Sequence, residues 1–317
     1  MVKILIDILH PTHVYFFREF ISEMTRKGHK ILVVSREKEC VQELLDHYQI
    51  THTKIDKRKN LLSELIHRTR TIYSISKREK VDVLMGCMGP SITLVGKLLR
   101  KPSIVFYDNE EAKLTNWYVQ RLATRFITSH TWEGKRLKNH VDYQSIQQRA
   151  YLPGEIKREK PTLSLLRLSA HKSSHDTFVK GVKEPIKIVK MLKDCKISSE
   201  KLLEGELKSY ELMIKPWELH EQIAKAHIVV GDSPTLCCEA AMFGVPSIYV
   251  GNTRRGYIEY LKKKGIVFEC KEDEVEKTIM HATKINAEKI HKEIMEENKE
   301  VTRWIIERIE NNSFWQQ

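Results

Sequence analysis

The sequence predicts an α/β protein built in two halves, each a parallel sheet covered by helices. Three observations carry this. Lys3–Leu9, a polar turn, a helix and His29–Ser35 make a β–α–β opening of the kind that builds parallel sheets. Ala226–Val250, AHIVVGDSPTLCCEAAMFGVPSIYV, repeats the plan in the second half as buried strand, polar turn, short helix and strand. Finally, 317 residues exceed one ordinary hydrophobic core. They suit two domains of roughly 150 residues each.

In the first half, Lys3–Leu9 is a short apolar strand that turns at His10-Pro11-Thr12-His13. A helix over about Val14–Lys27 follows, with Val14, Phe17, Phe20, Ile21 and Met24 on one face. Gly28 ends it. The turn lacks the glycines of a dinucleotide fingerprint, which argues against a Rossmann dehydrogenase. A histidine has an ordinary pKa near neutrality, so His13 is a candidate general base. Capping of the helix is the other reading of His10 and His13.

Lys54–Lys80 carries nine basic residues against Asp56, Glu64 and Glu79. Leu61, Leu62, Leu65, Ile66, Ile72 and Ile75 fall in it at helical spacing. Such a helix can lie on an anionic membrane, or it can pack its Leu/Ile face on its own sheet. Val81–Gly86 is a strand, and Cys87–Ser91 turns into a helix through Leu99. Pro102–Tyr107 is a strand ending in Asp108-Asn109-Glu110-Glu111. Carboxylates there sit where open α/β sheets bind ligands, so Asp108 and Glu110 are candidates for proton transfer. Capping of a helix over Ala112–Arg125 is the other reading of these acids, Glu111 above all. Phe126–Ser129 reads as the last strand of this half, and Thr131-Trp132-Glu133 opens a short helix. Pro153-Gly154 and Lys157–Pro161 make the best linker, which divides the chain into 1–160 and 161–317.

In the second half, Leu163–Leu168 is a strand carrying Arg167, whose guanidinium can pair with phosphate oxygens. A polar loop with His175-Asp176 follows. Ile186–Cys195 reads as a helix, Leu202–Ile214 contains a short strand, and Trp217 precedes a helix over Leu219–Lys225. Each boundary of the 226–250 unit has a physical cause. Ser233 can accept from the first free N–H groups of the helix, and Pro234 suits its first position. Gly244 permits the left-handed stop. The turn Gly231-Asp232-Ser233 therefore presents a helix N-terminus, a natural anion site. Glu239 lies about one turn inside, within reach of hydroxyls on whatever the turn holds. Arg254 and Arg255 follow the second strand, Arg254 nearer its end. Glu288–Asn311 reads as one long charged helix.

Bulk properties narrow the function. Hydrophobic content of 41% with 30% charged residues indicates a globular chain. No apolar run approaches the ~20 residues that span a bilayer, and MVKILIDIL is too short for a signal peptide. The six cysteines show no metal-binding spacing and read as thiols of a reducing cytoplasm. The net charge of +12 attracts anionic partners. No helix-turn-helix, RNP or zinc-finger signature is present, and Lys54–Lys80 offers only Tyr73 for base stacking, so nucleic acid is not expected.

The small polar turn, the carboxylate inside the helix, the Gly stop and the Pro-led strand resemble a known motif. It is the donor-nucleotide motif in the C-terminal half of GT-B glycosyltransferases and of non-hydrolysing UDP-N-acetylglucosamine 2-epimerases. The opening strand–HPTHV–helix–KGHKILVVSR resembles that of an uncharacterised family within the GT-B superfamily. The resemblance implies a GT-B-like fold, two Rossmann-like domains whose parallel sheets face a central cleft, with the last helix bracing the first domain. It implies diphosphate contacts at Ser233 and Thr235 in the donor-binding turn of Gly231 and Asp232, and a strand-end Arg167 facing the donor; Arg254, near the end of the second strand, could reach a phosphate as well. A ribose contact at Glu239, a donor contact at His175 and a base pocket at Trp217 follow, with His13, Asp108 and Glu110 on the acceptor side. The implied activity is a metal-independent glycosyltransferase using a nucleotide sugar, UDP-linked by expectation, and no further cofactor. Its acceptor would be a glycan or a lipid-linked molecule reached through Lys54–Lys80 at the inner face of a membrane. The alternatives are a UDP-sugar 2-epimerase, which carries an acid where this chain has Cys87, and a nucleotide-binding protein without catalysis.

Overall fold

The computed structural model describes residues 1–152, 158–170 and 181–314. Met1–Tyr151 with Glu300–Gln317 form one compact unit, and Leu152–Lys299 form a second.

Unit 1 is a seven-stranded parallel sheet of order β3-β2-β1-β4-β5-β6-β7. Its strands are β1 (Lys3–Ile8), β2 (Lys30–Arg36), β3 (His52–Ile55), β4 (Val83–Cys87), β5 (Ser103–Tyr107), β6 (Arg125–Ser129) and β7 (His140–Tyr143). Helices α1 (Pro11–Arg26) and α2 (Val41–His47) pack together, and α1 also meets the final helix α12 (Val301–Glu310). On the other face lie α3 (Leu61–Glu79), α4 (Pro90–Leu99) and α5 (Lys113–Leu122), with α4 touching both neighbours. Alternation along the strands sends Leu5, Leu84, Val105 and Tyr107 to meet Ile72, Ile92, Val95 and Val119 of those helices. Toward α1, the rings of Phe16 and Phe17 pack at an angle against Phe106.

Unit 2 is a five-stranded parallel sheet of order β12-β11-β10-β8-β9. The strands are β8 (Leu163–Leu168), β9 (Cys195–Ser199), β10 (Ala226–Gly231), β11 (Ser247–Tyr249) and β12 (Val267–Glu269). The helices are α6 (Pro185–Met191), α7 (Leu219–Ala224), α8 (Pro234–Met242), α9 (Gly256–Lys264), α10 (Val275–Ala282) and α11 (Ala287–Glu297).

Several expectations are corrected. The first helix begins at Pro11, because the His10 ring accepts the Thr12 N–H and proline suits the opening position, so His13 is helical. Phe126–Ser129 is not the last strand of its sheet. The short, polar HVDY of β7 follows at the edge, where little apolar signal is needed. No helix opens at Thr131; the residues there form a turn. Ala112, not Glu111, sits at the cap of α5. The 186–195 stretch splits into α6 and the start of β9, with Asp194 turning the chain at φ +47°. Leu202–Ile214 forms a 3-10 turn at Gly205–Tyr210 and a single bridge between Ile197 and Glu211. The long C-terminal helix is two helices. Asn298, buried, donates to the Ile294 carbonyl at 2.8 Å and to the Tyr260 hydroxyl at 2.9 Å, which closes α11.

Candidate functional site

The turn and helix of the 226–250 unit stand at the C-terminal edge of the second sheet. Strand β10 lies between β11 and β8, and the chain leaves it at Gly231 for the nine-residue α8. Gly231 closes the strand instead of opening the turn. A Cβ there would fall 2.5 Å from the Arg167 carbonyl oxygen, so only glycine lets β8 approach. Ser233 caps α8, its hydroxyl accepting the Leu236 N–H at 3.3 Å. Thr235 stands half-buried in the first turn, which carries no acidic residue. At the far end, Arg158 donates to the Gly244 carbonyl and His291 Nε2 lies against the Met242 carbonyl, each at 2.8 Å. The Arg158 guanidinium at that end complements the helix dipole that leaves the Ser233 end positive.

Glu239 is buried at the middle of α8, and its Oε2 lies 3.2 Å from Nε2 of the equally buried His220 on α7. His220 escaped the sequence reading; its signal was a histidine on the inward face of a short amphipathic helix. Asp232, also buried, accepts the Ser169 N–H at 2.7 Å and the Val182 N–H at 3.3 Å. Both of its oxygens thereby hold the backbone that follows β8 and precedes α6. Arg167 donates to Ser198 Oγ at 2.8 Å and pairs with Glu200, so its cation is partly neutralised. Trp217 is half-buried in the turn Pro216–Glu218, and Arg254 is exposed. His175 lies outside the described residues.

In unit 1 the candidates gather at the C-terminal edge of the central strands. His13 is buried, with Nδ1 accepting the Leu9 N–H at 3.2 Å. Burial, reinforced by Lys38 and Arg68, pushes its pKa down to about 3, so the ring is neutral at ordinary pH and only weakly basic. Beside it runs an ionic chain that the sequence reading passed over. Arg68 of α3 pairs with Asp7 of β1, both fully buried, and Arg36 of β2 forms a double contact with Glu64. The available signal was Asp7 itself, one charge inside the apolar strand KILIDIL. Burial raises the Asp7 pKa against the pull of Arg68 and Arg36.

Asp108 leaves β5 half-buried and accepts from Gln148 Nε2 at 3.5 Å. The Glu110 segment is anchored by Asn116, whose amide donates to the Asn109 and Glu110 carbonyls at 3.0 and 3.2 Å. Burial, then Asp108 and Asp7, push the Cys87 thiol well up, so it is a neutral group among acids. None of the six cysteines forms a disulfide. Among the described residues no cluster of His, Cys, Asp and Glu could hold a metal ion.

Residues 2–150 match the profile of a family described as "Protein of unknown function (DUF354)". No curated protein matches the chain in sequence. Among solved structures, it is similar to MnaA of S. aureus, solved with UDP, at 12% identity and TM-score 0.71, over 98% of this chain and 97% of that one. UDP-GlcNAc 2-epimerase of Neisseria meningitidis, bound to UDP-GlcNAc, aligns at 11% identity and TM-score 0.67, over 98% and 100%. MurG of Acinetobacter baumannii aligns at 15% identity and TM-score 0.64, again over 98% and 100%. The two parallel sheets and these full-length likenesses show a GT-B-like fold, and residues 2–150 match a family of unknown function.

Proposed function

We propose that the protein is a glycosyltransferase that uses a nucleotide sugar, with unit 2 binding the donor. The observation that carries this reading is the Ser233-capped mouth of α8 at the end of β10, with Glu239 buried one turn inside. The helix end, the Ser233 and Thr235 hydroxyls and nearby guanidinium groups stabilise the diphosphate as it departs, which is preorganised electrostatic catalysis without a metal. Glu239, oriented by His220, accepts hydrogen bonds from ribose hydroxyls. An acceptor hydroxyl oxygen attacks the anomeric carbon, the bond from that carbon to the diphosphate breaks, and a base takes the hydroxyl proton. Asp108 or Glu110 fits the base role better than His13, whose ring resists protonation down to about pH 3.

A UDP-sugar 2-epimerase is the second reading. A UDP-N-acetylglucosamine 2-epimerase structure of Listeria monocytogenes and that of Neisseria meningitidis align at TM-scores of 0.71 and 0.67, against 0.64 for MurG. Cys87 weighs against it, because that position carries an acid in the epimerases that the sequence resembles. A thermal-shift panel of nucleoside diphosphates tests the donor site, and saturating ligand should stabilise by about 2.7 kcal/mol at ~100-fold its Kd. Release of free diphosphate nucleotide in the presence of acceptor supports transfer, and an isomerised nucleotide sugar supports epimerisation. No shift with any diphosphate would sink both readings.

A further inference from the structure

Helix α3 is inside-out at its start. Its first turns turn Glu64 and Arg68 to the interior, at 6% and 3% exposure, and present Leu61, Leu62 and Ile66 to solvent at 69%, 68% and 45%. The expectation that the Leu/Ile face packs on the sheet holds only further along, at Ile72 and Ile75. The ionic chain already described draws Arg68 and Glu64 inward and leaves the face of Leu62 and Ile66 to solvent, while Leu61, two turns before Arg68 and on its side of the helix, is exposed as the first residue of α3. Two helices along the same layer, α5 presents Leu114 at 78% and Trp117 at 59% exposure. Both helices follow a strand of the parallel sheet directly, so their first turns stand at the same end of the sheet as Asp108.

Charge surrounds these apolar groups with one dominant sign. Lys57, Arg58, Lys59 and Arg70 are exposed around the start of α3, where Asp56 and Glu37 are the acids, and Lys113 and Arg121 are exposed on α5, which the half-buried Glu110 and Glu111 precede. Lys59 and Arg70 form no ion pair among the described residues. Arg121 stacks over the Trp117 ring, 4.8 Å from its centroid. Leucines and a tryptophan ringed by cations suit the boundary of an anionic bilayer, where apolar groups enter the acyl edge and cations meet the headgroups. A second copy of this chain would bring the same cations against themselves.

We propose that the outer face of α3 and α5 docks unit 1 on an anionic lipid bilayer, so that the acceptor is presented from the membrane. The acceptor part rests on the transferase reading; the docking does not.

Flotation of the full chain with phosphatidylcholine vesicles, with and without phosphatidylglycerol, tests this, with a UDP thermal shift run in parallel. The protein should float only with phosphatidylglycerol, and high salt should release it. The combined Leu61→Ser, Leu62→Ser and Ile66→Ser variant should lower partitioning by more than about tenfold. Lys59→Gln and Arg70→Gln should each lower it about fivefold. All are exposed positions, so the UDP shift should persist, which separates failure of docking from failure of the donor site. Absence of flotation, or flotation unchanged by these variants, would overturn the proposal. So would a dimer in light scattering that the leucine variant dissociates, because the face would then belong to a second copy.

Discussion

Glu239 and His220 form a buried pair, Oε2 to Nε2 at 3.2 Å, that ties α8 to α7. One carboxylate oxygen is thus held by protein, and the ring fixes the direction in which the other is offered. A ribose site built this way depends on the histidine as much as on the acid.

Replacing Glu239 with Ala should therefore abolish UDP binding in calorimetry and lower stability by about 1–3 kcal/mol, because the buried His220 ring loses its carboxylate contact. His220→Ala should weaken UDP binding about tenfold while leaving the carboxylate in place. Wild-type affinity in both variants would remove Glu239 from the donor site.

Acid should destabilise the protein through His13. Its folded pKa of about 3 lies below the ordinary 6.5, so the unfolded chain binds the extra proton between these values. Stability is full above about pH 6.5 and falls as pH drops, by about 1.4 kcal/mol per unit. Urea titrations at about pH 7 and about pH 5 should differ by about 2 kcal/mol more in the wild type than in His13→Asn. The asparagine Oδ1 can still accept the Leu9 N–H, so the variant isolates the titration.

Arg68→Met should cost about 3–5 kcal/mol, because it strands Asp7 in the interior. Adding Asp7→Leu should recover most of that loss in chemical denaturation. The double variant should also let α3 rotate, which increased protection of the Leu62 and Ile66 side chains in footprinting would report.

Gly231→Ala should destabilise by about 1–3 kcal/mol, because its Cβ collides with the Arg167 backbone across the β8–β10 pair. UDP affinity should fall with it, since the strand end sets the position of Ser233. A variant as stable as the wild type would show that β8 can retreat at no cost.

Local pattern was enough for much of this protein. Short apolar runs separated by amphipathic stretches announced the parallel sheets, and Ser233, Pro234 and Gly244 marked both ends of α8, because capping and turn preferences act over a few neighbouring residues. The weakly apolar edge strand β7, the break at Asn298 and the splitting of α6 from β9 were not legible, because distant partners decide them.

The sequence by itself determined where most strands and helices and the Ser233-capped start of α8 stand along the chain. Only the tertiary structure decided that Glu239 meets His220, that His13 is too buried to be a ready base, and that α3 turns its leucines to solvent. Those outcomes depend on desolvation and pairing between residues far apart in sequence. Asp7 and Arg68 show the reason: neither charge can be buried without the other, and helix α3 rotates to bring them together.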